Sequence, residues 1–194
     1  MIELMLFAIA VVLAIGLYRM ASGGEPPPET GDMAPDFALP DQFGVSRTLD
    51  EFRGRNLVLY FYPRDDTPGC AEQAMRFRNS MRDLEALDAA VCGVSVDDTT
   101  SHAAFARKYN LPFALLADRD GQTAARYGSL RNFGVVKFAK RNTFLVDPDG
   151  RIAKVYLGVQ PAQNAEDVTE DLKRLQSPAV SAMKLPSAAQ SLSP

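Results

Sequence analysis

A strand that runs into a proline, a polar turn and then a helix constrains this chain more than any other feature. Leu57 to Tyr62 is an apolar, aromatic-rich run of strand type. Pro63 ends it, and Asp65, Asp66, Thr67, Pro68 and Gly69 are turn and cap residues. Behind them Ala74, Phe77, Met81 and Leu84 recur at three- and four-residue spacing, the apolar stripe of an amphipathic helix. Cys70 therefore falls where a strand-loop unit opens into a helix. Backbone N–H groups are unpaired in a first turn, and the helix dipole favours negative charge there. A thiol in such a place is biased toward thiolate, its reactive form. From position alone the alternative is a buried cysteine that merely packs.

The remaining chain alternates between strand-like and helix-like segments. Asp32 to Pro40 and Val45 to Thr48 read as short strands, and Asp50 to Arg55 as a polar connection. Val91 to Val96 is a further apolar strand, with Asp97 to Thr100 capping a helix over Ser101 to Tyr109. Phe113 to Ala117 is strand-like, Asp118 to Gly121 a turn and Gln122 to Tyr127 a short helix. Thr143 to Val146 and Ile152 to Leu157 flank Asp147-Pro148-Asp149-Gly150, a hairpin signal. Ala165 to Leu175 carries Val168, Leu172 and Leu175 on one face and closes the series as a helix. Such alternation predicts an α/β sandwich around a central mixed sheet.

Composition narrows the function. Hydrophobic content of 46% and charged content of 23% suffice to bury a core. A net charge of −3 leaves no electrostatic footprint for nucleic acid. The two cysteines, Cys70 and Cys92, cannot form a disulfide framework. With the single histidine, His102, they match no zinc spacing, and no G-x-S-x-G string marks a hydrolase. His102 reads as a surface or capping residue. No metal or cofactor is called for.

Pro63, Thr67 and Cys70 form P-x-x-x-T-x-x-C within YFYPRDDTPGC. Together with APDFALPDQFG, VCGVSVDD, KYNLPFALLADRDG and RNTFLVDPDGRIAKVYLGV, that string resembles the peroxiredoxins, in particular the bacterioferritin-comigratory, PrxQ-like branch. The likeness runs from about Pro35 to Leu175. It implies a thioredoxin-like fold and a peroxidase acting on hydrogen peroxide and organic hydroperoxides. It also implies Cys70 as the attacking thiol, Thr67 as a hydrogen-bond partner of the peroxide, Pro63 as a shield and Arg141, in RNTFLVD, as the cation of the site. An arginine suits that role because its charge is permanent and its donors form a fixed fork. Without the motif, Arg141 would read as a solvated charge at a strand start.

The chain departs from this pattern in the step that recycles the oxidised thiol. Many relatives carry a second cysteine five residues on, where Met75 stands here, or in the next helix, near Ala106. Gln73 occupies a place where relatives often have Glu. Cys92, inside AAVCGVSV, reads as a packing residue. The expectation is a one-cysteine mechanism with an external thiol, thioredoxin-like or of the glutathione type, in a monomer or weak dimer. Two rivals are a thiol–disulfide oxidoreductase, disfavoured because Cys70-Ala-Glu-Gln is not C-x-x-C, and a non-enzymatic redox sensor. Multi-turnover peroxide consumption separates the peroxidase from the sensor.

Both ends of the chain read as extensions. Leu4 to Tyr18 is uninterrupted apolar sequence followed by Arg19, and a spanning helix needs ~20 residues with a lower end of about 17. Residues 1–19 are expected to anchor the protein in the cell membrane, with a cleaved signal as the alternative. Arg19 on the domain side leans the catalytic domain toward the cytoplasm, with the periplasm as the other face. Residues 20–31 form a Gly- and Pro-rich linker, 32–176 the catalytic domain and 177–194 a tail rich in Ser, Ala and Pro without a fold of its own.

Overall fold

A computed structural model describes residues 25–177. Strand β3 (Asn56–Phe61) is its axis, with every residue after Asn56 buried. On one side β3 pairs in parallel with β4 (Ala89–Ser95), which pairs in parallel with β5 (Ala114–Ala117). On the other side it runs antiparallel to β8 (Thr143–Val146), and β8 antiparallel to β9 (Ile152–Tyr156). The resulting five-stranded mixed sheet has the order β5-β4-β3-β8-β9. β1 (Ala38–Pro40) and β2 (Ser46–Thr48) form a separate two-stranded ribbon, as do β6 (Leu130–Asn132) and β7 (Lys137–Ala139).

Alternation along β3 divides the core in two, because successive strand side chains point to opposite faces. Val58 and Tyr60 meet helix α1 (Pro68–Ala86), α2 (Thr99–Tyr109) and α4 (Asn164–Leu175). Leu57, Leu59 and Phe61 meet the β1 segment, α3 (Gln122–Arg126), Tyr127 and the β6–β7 ribbon. Phe77 of α1 stacks on Tyr60 with ring centroids 4.8 Å apart. Gly93 in β4 is required by that ring, since a Cβ there would lie 2.7 Å from the Tyr60 phenol.

The mixed sheet and its helices agree with the α/β sandwich read from the pattern. The β6–β7 ribbon has no counterpart in that reading. Leu49–Phe52 forms a short 3-10 helix where a polar connection is expected, because Thr48 and Glu51 build a reciprocal capping box.

The expected membrane location is corrected. Among the described residues no helix is long and apolar enough to cross a membrane. The longest, α1, carries Glu72, Arg76, Arg78, Arg82, Asp83 and Glu85 along its length. The proposed anchor, residues 1–19, lies outside the described residues, as does nearly all of the expected tail. Of the expected linker, residues 25–31 are described and lie against the domain. There the Glu25 N–H donates to the Ala125 carbonyl at 3.1 Å and the Gly31 N–H to that of Ile152 at 2.8 Å.

Candidate active site

Cys70 is the third residue of α1 and 1% exposed. Thr67 is the N-cap in an extended conformation, and Pro68 starts the helix, where its missing N–H costs nothing. The Thr67 hydroxyl does not cap the helix. It donates to the Arg64 carbonyl at 3.2 Å, and the Thr67 carbonyl accepts from the Ala71 N–H at 2.8 Å.

Arg141 precedes β8, the antiparallel neighbour of β3, and reaches the start of α1 from that side. Its Nη2 lies 3.3 Å from Cys70 Sγ, while Nη1 donates to Gln73 Oε1 at 2.6 Å and to the Gly69 carbonyl at 3.4 Å. Gly69 leaves room for this approach, because a Cβ there would sit 3.3 Å from Nη2. Gln73 is fully buried and passes the contact onward, its Nε2 donating to Asn164 Oδ1 at 2.8 Å. Thr143 donates its hydroxyl to the same oxygen at 2.8 Å. The guanidinium is thus aimed by groups from α1, α4 and β8. Pro63 and Arg141 line one groove together with Phe138, Lys140 and Leu157. The Tyr60 hydroxyl, deep in the same layer, has no hydrogen-bond partner among the described residues. Burial first, and then the proximity of Cys70, pushes its ionisation well above the usual phenol range.

Cys70, Thr67 and Arg141 therefore meet at the start of α1, with Pro63 beside Arg141 in the groove. Cys92 does not join them. It pairs in register with Leu59, on the opposite face of the sheet, and is 1% exposed. Burial pushes its thiol up to about 12.

Sequence reasoning missed what stands behind the loop. His102 is fully buried, and its Nδ1 lies 2.8 Å from Asp65 Oδ2. The signal was present: His102 precedes Phe105 and Ala106 by three and four residues, so it shares their inward face of α2. Asp98 caps that helix through the Ser101 N–H.

Fold and site together are those of a thioredoxin-like thiol enzyme. Residues 30–155 match the model of the AhpC/TSA family. The chain is 38% identical over 149 residues to peroxiredoxin Bcp of Bacillus subtilis, covering 75% of this chain and 95% of that protein. It is 40% identical over 149 residues to the chloroplastic peroxiredoxin Q of Populus jackii, covering 76% of this chain and 68% of that one. The crystal structure of peroxidoxin BcpB from Mycobacterium tuberculosis superposes with a TM-score of 0.74 at 32% identity, covering 77% of this chain and 99% of that chain. The chain belongs to the AhpC/TSA family, on its Bcp and peroxiredoxin Q side, and is a peroxiredoxin-type thiol peroxidase.

Proposed function

We propose that this peroxidase uses Cys70 as its only redox-active cysteine and is recycled by an external thiol. The observation that carries the reading is the 3.3 Å approach of Arg141 Nη2 to Cys70 Sγ at a helix start, set against a second thiol buried on the other side of the sheet.

In the proposed cycle the Cys70 thiolate attacks the terminal oxygen of ROOH. The S–O bond forms as the O–O bond breaks, and the departing RO⁻ takes a proton to leave as ROH. Negative charge grows on that oxygen, and donors fixed in advance lower the barrier. Arg141 supplies positive charge and a fork of donors beside the sulfur. Thr67 supplies a hydroxyl not used for capping, and Pro63 walls the site. Cys70 is left as a sulfenic acid. A thiol R′SH then forms the mixed disulfide Cys70–S–S–R′ and releases water. A second thiol attacks the R′ sulfur, releases R′–S–S–R″ and returns the Cys70 thiolate.

Hydrogen peroxide and organic hydroperoxides are the proposed substrates, and a thioredoxin-like protein or a glutathione-type thiol the reductant. Steady-state peroxide consumption with a panel of such thiols tests the reading. Many turnovers per enzyme with at least one of them is the expected result. A single turnover with every thiol in the panel would instead describe a sensor.

A further inference from the structure

The proposed cycle reaches Cys70 twice, first with a small peroxide and then with a bulkier thiol, yet its side chain is only 1% exposed. One wall of the site has to move between the two steps. On one side stands the first turn of α1, on the other the loop from Pro63 to Thr67.

The loop is fastened to α2 at two successive residues. The Asp65 carboxylate accepts from the Tyr62 hydroxyl at 2.8 Å, from the Ser101 hydroxyl at 2.7 Å and from His102 Nδ1 at 2.8 Å. Because a carboxylate offers no hydrogen, the Nδ1 facing it is the protonated nitrogen of the ring. The Asp65 N–H donates in turn to Asp97 Oδ2 at 2.8 Å, an oxygen that also accepts from Ser95 Oγ at 2.7 Å. Asp66 follows in the left-handed region, with φ +55°, a conformation disfavoured for a residue with a Cβ. Its carboxylate accepts from Lys108 Nζ and from the Tyr109 hydroxyl at the other end of α2. The opposite wall is held differently. Its polar ties are the Ala71 N–H to the Thr67 carbonyl and the Arg141 contacts to Gly69 and Cys70, beside the packing of Cys70 and Ala71 into the core, and one of those ties ends on the sulfur that changes during the reaction.

We propose that Asp65, held by His102 and Ser101, is a positioning residue for the peroxide step. It fixes the Pro63–Thr67 loop on α2, so that Pro63 and Thr67 are held in place when peroxide arrives. This rests on the peroxidase reading above. Peroxide attack needs Pro63 and Thr67 in place, so loosening the loop slows that step. Thiol attack on the sulfenic sulfur calls on neither residue, so it is not slowed.

Single-turnover kinetics on the full chain measure the two steps apart, as peroxide with reduced enzyme and as thiol with the sulfenic form. His102→Leu fills the buried space but removes the donor. His102→Asn places an amide N–H near the position of Nδ1. A displaced wall of this kind is expected to slow the peroxide step of His102→Leu about ten- to a hundredfold, with the thiol step unchanged and the Asn variant recovering most of the loss. Ser101→Ala, at an accessible helix start, should show the same split at about threefold, the worth of one modest hydrogen bond. It carries the test if the Leu variant does not fold. Equal slowing of both steps, or an unslowed peroxide step in folded variants, overturns the positioning role. So does an Asn variant as slow as Leu. A wild-type protein no faster with peroxide than a free thiol brings down the peroxidase reading and this inference together. A fast wild type with insensitive variants removes only the inference.

Discussion

Cys70 and Cys92 are equally buried, each 1% exposed, and lie on opposite faces of one sheet. Cys92 sits among apolar neighbours such as Leu59 and Leu116, and burial is the dominant influence on its thiol. Cys70 shares its layer with Tyr60 and Phe77 but opens a helix and has a guanidinium 3.3 Å from its sulfur. Burial alone therefore does not distinguish the cysteine proposed to react from the one proposed to be inert. The distinction lies in the charged partner and in the unpaired N–H groups of a first turn.

The largest expected effect comes from exchanging sulfur for oxygen at the two positions. Cys70→Ser should abolish peroxide consumption with little change in stability, whereas Cys92→Ser should keep the wild-type peroxide rate. Peroxide electrode traces on both variants break the comparison if Cys70→Ser stays active. Next is the partner. Arg141→Lys keeps the charge but loses the fork that binds Cys70, Gly69 and Gln73 at once, and losing one preorganised donor typically costs about 10²–10³ in rate. The measurement is the second-order rate constant for peroxide, with circular dichroism to show that the fold is intact. An unchanged constant removes Arg141 from the site.

Two smaller effects concern Cys92. Cys92→Ser buries a hydroxyl among apolar groups and should cost about 1–3 kcal/mol of stability, read from denaturant unfolding. The pH dependence has a definite sign. Below pH about 9 the Cys92 thiol is protonated in both folded and unfolded chains and adds no slope. Above it the unfolded chain releases a proton that the folded chain retains up to about 12. Stability therefore falls with rising pH across that window, by about 1.4 kcal/mol per unit from this group. Subtracting the curve of Cys92→Ala isolates it. A difference flat between pH 9 and 11 would mean that Cys92 is not sealed from solvent.

The alternation of elements was legible because strand and helix periods differ, and β3 and α1 are among the most regular segments of the chain. The place of Cys70 at a helix start was legible from the strand–turn–helix pattern, while the roles proposed for Cys70, Thr67, Pro63 and Arg141 rest on the resemblance that their spacing carries. The β6–β7 ribbon was not, because Leu130–Asn132 and Lys137–Ala139 are three residues each, too short to show a period. Two groups escaped for different reasons. Asn164 sits far along the chain, so no local pattern ties it to Gln73 and Arg141. His102 carried the correct helical spacing, but a polar residue next to a cap invites a surface reading until Asp65 arrives from another element to satisfy it.

The central claim is that one cysteine carries the chemistry and that the other is out of its reach. Treating the reduced protein with one equivalent of peroxide in the absence of thiol, followed by intact mass measurement and peptide mapping, tests it most directly. The account predicts a monomer that gains one oxygen on Cys70, with Cys92 unmodified. A loss of two hydrogens mapping to a Cys70–Cys92 cross-link would contradict it.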